Sequence, residues 1–206
     1  MEVTKTRGTK KLDWLLRPLT RLTPLAMWPT IIGQMPHPMA TVETVARART
    51  ETLSKDVDRF RQLLRRGAPG PHSYAVLLGI ETLDAAALLK AIKKGFAYRT
   101  FERFRLNSSL PFQRVIELVG IPRRTLTRRK HEGRFLPDES DRLLRASRLF
   151  GTTLALFEGD RRAATAWLTT AQPALAGAVP IDLAKTDLGA REVETLIGRL
   201  EHGVFS

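Results

Sequence analysis

The chain has 206 residues, 43% of them apolar, a formal net charge of +13 and no cysteine. This length and apolar content suffice for one large or two small domains with a buried core, and the lack of cysteine excludes disulfides, thiolate chemistry and cysteine-ligated zinc. The basic excess favours nucleic acid or another polyanion as a partner, with a solvated basic surface as the alternative.

The histidine spacing and the hydropathy indicate neither a metal centre nor a membrane span. The four histidines, which show no ligand spacing, are His37, His72, His131 and His202. No apolar run approaches the roughly 20 residues that a membrane-spanning helix needs, and the N-terminus lacks the apolar core of a secretory signal. We therefore expect a cytoplasmic protein without metal or cofactor.

The first 70 residues are predicted to form an arm and a helix. Residues 1–40 combine basic residues with repeated proline, which favours an extended arm. The later methionines that could instead be the true start are Met27, Met35 and Met39. From Thr41 to Arg66, apolar residues recur at three- and four-residue steps, which predicts an amphipathic helix whose apolar stripe could contribute to a dimer contact. Glycines and prolines at 67–71 end this helix and mark a predicted domain boundary.

Short helices are predicted between this boundary and residue 111. The apolar segment Ser73–Ile80 fits either a short strand or the start of a helix. The next predicted helices are Leu83–Lys94 and Phe101–Leu106. Ser108 or Ser109 could cap the helix that follows, which is predicted to begin at Pro111.

Residues 112–133 have the pattern of a helix-turn-helix. The apolar face of the first helix comprises Val115, Ile116 and Val119. Gly120 supplies the turn, Pro122 suits the first position of the second helix, and Leu126 faces back to the core. Ile116 stands four residues before the turn glycine, where a small residue is usual, so it could force a wider crossing of the two helices.

The second helix of this motif has a polar and basic outward face. Its outward residues are predicted to be Arg123, Arg124, Thr125, Thr127 and Arg128. A recognition helix presents residues near its N-terminus to base edges in the major groove while neighbouring cations contact phosphates, so this arrangement favours DNA binding. The alternative is a solvated basic helix end.

A long helix and a segment of short helices complete the chain. The long helix is predicted to begin at Pro137 and to run through Phe157. The step Gly159-Asp160 opens the last segment, in which Ala190–His202 is the final helix and Gly203 its stop. The apolar residues expected to form the core of this segment are Trp167, Leu168, Leu175, Leu183, Val193, Leu196, Ile197 and Leu200. The acidic residues interpreted as helix-end charges and salt-bridge partners, not as catalytic groups, are Asp138, Glu139, Asp141 and Glu158.

Residues 74–206 resemble the MbcA/ParS/Xre antitoxin family. The residues that carry this resemblance are Leu126, Arg129, Gly133, Glu139, Ser140, Asp141, Arg142, Leu143, Arg145, Phe157, Trp167, Leu168, Pro173, Leu175, Gly177, Pro180, Thr186, Gly189, Val193, Leu196 and Gly203. The run ESDRLLR, the block from WL to GAVP and the closing EHGVFS occur in the order of the family. The arm and helix before residue 70 lie outside the resemblance.

The resemblance implies a type II antitoxin. It joins an Xre-like helix-turn-helix domain, which can bind operator DNA, to a C-terminal domain that binds a RES-domain toxin, an NAD-consuming enzyme encoded beside it. In the family the C-terminal tail reaches the NAD pocket of the toxin. The residues to which this role carries over are Gly203, Val204, Phe205 and Ser206, and more loosely Arg199 and His202. A homodimer within a larger toxin–antitoxin complex is also implied.

The sequence thus predicts an all-α protein, a helical bundle that contains a helix-turn-helix and is followed by a small helical domain. The predicted divisions are an arm at 1–40, a helix and linker at 41–70, the helix-turn-helix domain at 71–157 and the toxin-binding domain at 158–206. The alternative function is a stand-alone DNA-binding regulator without an enzymatic partner. The sequence shows no nucleophile elbow, phosphate loop or acid/base pair, so we expect no catalytic activity.

Overall fold

The computed structural model describes residues 55–66 and 70–203, and these belong to one compact unit. The helices are α1 (residues 55–65), a 3-10 helix (Ser73–Leu78), α2 (Ala85–Lys94), α3 (Tyr98–Ser108), α4 (Phe112–Val119), α5 (Arg123–Glu132), α6 (Pro137–Leu156), α7 (Arg161–Thr169), a 3-10 turn (Pro173–Leu175), α8 (Pro180–Leu183) and α9 (Asp187–His202). Within the described ranges, extended backbone pairs only at an isolated bridge between Ala97 and Arg134. The predicted all-α class is confirmed.

Three sequence predictions concern parts of the chain outside the described residues. These are the arm at 1–40, the beginning of the predicted helix at 41–54, and the tail Val204–Ser206. The divisions predicted at residues 70 and 157 stay predictions. No helix within 55–66 or 70–203 combines the length and apolar character that crossing a membrane requires.

Helix α6 is the element against which most of the others pack. It contacts the first 3-10 helix, α2, α3, α4, α7 and α9. Pro137 occupies its first turn, and the Glu139 carboxylate accepts a hydrogen bond of 2.8 Å from the Leu136 N–H, a donor that the start of a helix would otherwise leave unpaired. Leu143, Phe150 and Leu154 are fully buried along its length. The long helix predicted from Pro137 is therefore confirmed, and its last residue is Leu156.

The region before the helix-turn-helix differs from the sequence prediction in two places. The segment predicted to be a strand or the start of a helix is the 3-10 helix, which ends at Gly79 with φ of 69°. The prediction that Ser108 or Ser109 caps the next helix is wrong. Ser109 adopts φ of 54° and ends α3, whereas α4 begins after Pro111 without a side-chain cap. Because Ser108 is the last residue of α3 and Ser109 follows as its end residue, neither serine lies at the start of α4.

The apolar face of helix α1 packs against the rest of the fold. Val57 and Phe60 are 3% and 2% exposed. Within residues 55–66, Val57 and Phe60 of the predicted apolar stripe are therefore covered within the chain, and Leu64 is half-buried. The reason for expecting a dimer contact at this part of the helix no longer applies.

The C-terminal segment consists of short helices, as predicted. Asp160 caps α7 by accepting from the Arg162 and Ala163 N–H groups, and Thr186 caps α9 by accepting from Gly189. Helix α9 consequently begins at Asp187, three residues before the predicted start. The buried members of its predicted core are Trp167, Leu168, Val193, Leu196 and Ile197, whereas Leu175, Leu183 and Leu200 are half-buried.

Candidate functional site

Helices α4 and α5 form the predicted helix-turn-helix. Gly120 ends α4 in the left-handed region, with φ of 61°, and its N–H donates to the Ile116 carbonyl at 2.9 Å. This conformation suits glycine because a side chain would be strained there. Ile121 and Leu126 are 1% and 2% exposed, so they attach α5 to the core. Pro122 precedes the helix as its cap residue and is not its first residue, a shift of one position from the prediction.

The predicted DNA-binding residues lie at the surface of α5. Those that are exposed are Arg123, Arg124, Thr127 and Arg128, and Thr125 is half-buried. The helical period placed these side chains correctly, because the buried Leu126 fixes which side of the helix faces the core. Their role in DNA binding stays a prediction.

The three arginines of this set have different surroundings. The Arg123 guanidinium lies 5.2 Å from the centroid of the Phe112 ring and donates to the Gln113 Oε1 at 3.3 Å. The Arg128 Nε is 3.8 Å from the Glu132 Oε1. Arg124 has no side-chain partner among the described residues. Among the three arginines, it is therefore the one whose hydrogen-bond donors no described residue occupies.

A fourth arginine of α5 is buried and holds the helix in place. Arg129 donates from Nε and Nη2 to the two carboxylate oxygens of Glu139 at 2.7 and 3.0 Å, and it also pairs with Glu132. The side chains of Arg129 and Glu139 are 6% and 5% exposed. The sequence predicted that Glu139 is a salt-bridge partner, which is confirmed, but it did not identify Arg129 as its partner. A buried, two-pronged ion pair fixes both the position and the orientation of α5 against the start of α6.

The pKa shifts of Arg129 and Glu139 both favour the charged forms of the pair. Burial raises the pKa of Glu139, but the hydrogen bonds from Arg129 and from the Leu136 N–H oppose burial, and the net effect is a lowered pKa. The hydrogen bonds to Glu139 and Glu132 raise the pKa of Arg129. The carboxylate is therefore ionised at neutral pH.

The predicted toxin-binding residues lie at the C-terminal end of α9. Arg199 is half-buried, His202 is exposed, and Gly203 ends the helix with φ of 68°. The exposed residues along the same face of α9 are Leu188, Arg191, Glu192 and Thr195. Val204, Phe205 and Ser206 lie outside the described residues. The structure thus brings the predicted residues from Arg199 to Gly203 together at one helix end.

Ion pairs connect α8 and α9 to the helix-turn-helix and to α6. The Arg148 Nε is 2.8 Å from the Glu194 Oε1, and the Arg145 Nη1 is 3.1 Å from the Asp187 Oδ1. Across α4 and α8, Arg114 approaches Asp182 to 2.7 Å. These contacts join residues that lie 42 to 68 positions apart in the chain, so sequence spacing gave no sign of them.

The described residues contain no cluster of side chains suited to a metal ion. Between 55–66 and 70–203, no group of three or more His, Asp or Glu residues could hold a metal ion. One depression, with a volume of about 280 Å³, lies between α4, α6 and α9. Its three arginines are each paired with an acidic residue.

Comparison with known proteins identifies two domains in the described structure. The antitoxin Xre-like helix-turn-helix domain matches residues 87–148, and the antitoxin Xre/MbcA/ParS C-terminal toxin-binding domain matches residues 153–203. The chain is 41% identical over 130 residues to "Antitoxin Xre" of Yersinia enterocolitica, which covers 63% of this chain and 88% of that protein. It is 36% identical over 93 residues to "Antitoxin Xre" of Photorhabdus laumondii, which covers 45% of this chain and 63% of that protein. The chain therefore belongs to the Xre/MbcA/ParS antitoxin family, with a helix-turn-helix domain followed by a toxin-binding domain.

Proposed function

We propose that this antitoxin inhibits a RES-domain toxin that consumes NAD, and that it regulates its own operon by binding DNA as a homodimer in the cytoplasm. The antitoxin itself has no enzymatic activity in this proposal. The observation that carries it is the match of residues 153–203 to a toxin-binding domain, downstream of a helix-turn-helix match in the same chain. The RES identity of the toxin follows from the family resemblance of the sequence.

Inhibition is assigned to the end of α9 and the tail that follows it. Gly203 terminates the helix, so the residues after it can leave the helix axis and enter a cleft on another protein. Val204 and Phe205 give this tail an apolar end, and burying Phe205 would contribute about 1.5–3 kcal/mol. Arg199 and His202, at the adjoining helix end, supply polar contacts at the rim of the same cleft. The tail blocks the NAD pocket while the larger surface of the domain holds the complex together.

DNA binding is assigned to the exposed face of α5. The exposed guanidinium of Arg124, which has no partner among the described residues, can donate two hydrogen bonds to a guanine edge, which is a common base-specific contact in the major groove. Arg123 is held near Phe112 and Gln113, so we assign it to a phosphate. Thr125, Thr127 and Arg128 extend the same face.

The decisive experiment measures NAD turnover by the purified toxin–antitoxin complex. Removal of Val204–Ser206 is expected to restore NAD consumption while the complex stays assembled by gel filtration, because the domain surface is unchanged. The variant Leu89→Ala is a suitable control, since Leu89 is 59% exposed and lies on α2, outside the residues matched to the toxin-binding domain. A truncated complex that remains assembled and fully inactive would show that inhibition comes from another part of the C-terminal domain.

A further inference from the structure

Helix α1 is firmly attached to the rest of the fold although it precedes both matched family domains, which span residues 87–148 and 153–203. Asp56, which is 7% exposed, accepts from Arg103 Nε at 3.0 Å and Nη2 at 2.7 Å, and from Asn107 Nδ2 at 2.9 Å. Arg61 donates to the Gly159 carbonyl at 3.0 Å. The orientation of α1 is therefore fixed, and so is the identity of the residues on its outward face.

This outward face is basic. The exposed residues at steps of four, three and four along it are Lys55, Arg59, Gln62 and Arg66. At 100° per residue these four side chains fall within a narrow sector of the helix, and we refer to them as the α1 basic stripe. Arg65, which is also exposed, lies beside the stripe.

The cations of the α1 basic stripe are not neutralised by the described part of the fold. Lys55, Arg59 and Arg66 have no ion-pair or side-chain hydrogen-bond partner among residues 55–66 and 70–203. Elsewhere the arginines of the long helix α6 are paired, as in Arg148 with Glu194 and Arg142 with Asp138. A positive surface of this kind, in a chain of net charge +13, is complementary to a polyanion.

The dimensions and chemistry of the stripe favour duplex DNA over a membrane. From Lys55 to Arg66 the helix rises by about 16 Å at 1.5 Å per residue, and successive phosphates of a DNA strand advance by about 3.4 Å along the duplex axis, so the stripe spans about five phosphates. A membrane-surface helix would insert its apolar face into lipid, but Val57 and Phe60 of α1 are already buried in the protein. Three of the four members of the stripe are cations, which suit phosphates, and Gln62 is its only amide.

We propose that the α1 basic stripe is a second DNA-binding surface, which contacts the phosphate backbone without sequence preference. This inference rests on the proposed function, since it assumes that the chain binds DNA through α5. The stripe raises affinity for any duplex, while the exposed face of α5 distinguishes the operator from other sequences. Phosphate contacts add to the salt dependence of binding because each one releases condensed counterions.

The test compares two double variants that remove the same charge from two different helices, α1 and α7. Arg59→Gln/Arg66→Gln removes two members of the stripe and keeps good helix formers at both positions. The matched control, Arg161→Gln/Arg162→Gln, removes two arginines of α7 that also have no side-chain partner among the described residues. Thermal melting of each variant confirms that the fold is retained.

Binding of the full-length chain is measured by fluorescence anisotropy between 50 and 200 mM salt. The probes are a 30-base-pair duplex from upstream of its own gene and a scrambled duplex of equal composition. The stripe variant is expected to reduce the slope of log K against log salt by about 1.8, which is about 0.9 per lost contact. As the salt rises from 50 to 200 mM, the affinity of the wild type should then fall about tenfold more than the affinity of the stripe variant. This difference should be the same for both duplexes.

Each alternative result overturns a different statement. An unchanged slope in the stripe variant, or an equal decrease in the α7 control, overturns the α1 proposal and leaves DNA binding by α5 intact. A wild-type chain that binds neither duplex overturns the proposed DNA-binding function together with the stripe. Binding to phosphatidylserine vesicles that depends on Arg59 and Arg66, with an unchanged DNA slope, would assign the stripe to a membrane surface and overturn the proposal.

Discussion

The buried pair of Arg129 and Glu139 provides a stringent test of how the helix-turn-helix is held in place. In the variant Glu139→Ala, Arg129 loses the two hydrogen bonds of 2.7 and 3.0 Å and keeps only its contact with Glu132. The Leu136 N–H loses its acceptor at the same time. A guanidinium that is 6% exposed is thereby left with a single, more exposed partner.

The cost follows from these contacts. Breaking a buried ion pair by removing one partner typically costs about 3–5 kcal/mol, and we expect about 3 kcal/mol because Glu132 remains. The lost acceptor at the start of α6 adds about 1 kcal/mol. Urea denaturation at pH 7 should therefore show a decrease in the free energy of unfolding of about 4 kcal/mol, or a midpoint lower by about 2 M for a slope of about 2 kcal/mol/M.

Two controls make this measurement specific. Asp141 pairs with Arg145 at 3.1 Å on the surface of α6, and its side chain is 51% exposed, so Asp141→Asn should cost less than about 1 kcal/mol. Glu139→Gln keeps an oxygen that can accept from Leu136 and should be less damaging than Glu139→Ala by about 1 kcal/mol. If Glu139→Ala costs no more than Asp141→Asn, the pair does not hold α5 in place and the reasoning is refuted.

The pH dependence gives an independent check. The folded-state pKa of Glu139 is lowered, so its contribution to stability is fully present above the unfolded pKa of about 4.3 and is lost as the pH falls towards the folded value. The difference in unfolding free energy between the wild type and Glu139→Ala should therefore be constant near neutral pH and shrink below about pH 4. A difference that grows on acidification would contradict the assignment.

Three further predictions concern the operator contact, helix α9 and self-association. Arg124→Ala should weaken operator binding by about 1–3 kcal/mol in anisotropy titrations and scarcely affect a scrambled duplex, whereas equal losses on both duplexes would assign Arg124 to a phosphate. In Gly189→Ala the new Cβ would lie 2.0 Å from the Leu183 carbonyl oxygen, so unfolding should become easier by about 1–3 kcal/mol. Gly198→Ala, with open space around the new Cβ, should instead be stabilising by up to about 1 kcal/mol in the same thermal or urea assay. Light scattering at micromolar concentration should give twice the chain mass of 23.1 kDa, because helix-turn-helix proteins commonly bind paired half-sites, and a monomer mass would contradict the proposed homodimer.

The sequence by itself determined the features that depend on local periodicity and on glycine. The apolar spacing around Leu126 defined which side of α5 is exposed, and Gly120 and Gly203 marked the turn and the helix end where left-handed backbone occurs. These predictions held because a helical face and a positive φ are properties of a few neighbouring residues. The family resemblance was likewise carried by the order of short motifs.

The tertiary structure alone decided the features that depend on contacts between distant residues. Asp56 and Arg103 are 47 positions apart, and Arg148 and Glu194 are 46 apart, so neither pair follows a helical spacing. The roles of Ser108 and Ser109 were mispredicted because the packing of α3 extends that helix to Ser108, which makes Ser109 its end and removes both from the start of α4. Arg129 belongs to a run of basic residues that looks uniform in the sequence, yet burial against α6 separates it from the exposed Arg124 and Arg128. Which cations are free to bind DNA is thus a property of the packed fold, since pairing and burial, not residue type, determine whether a guanidinium is available to a ligand.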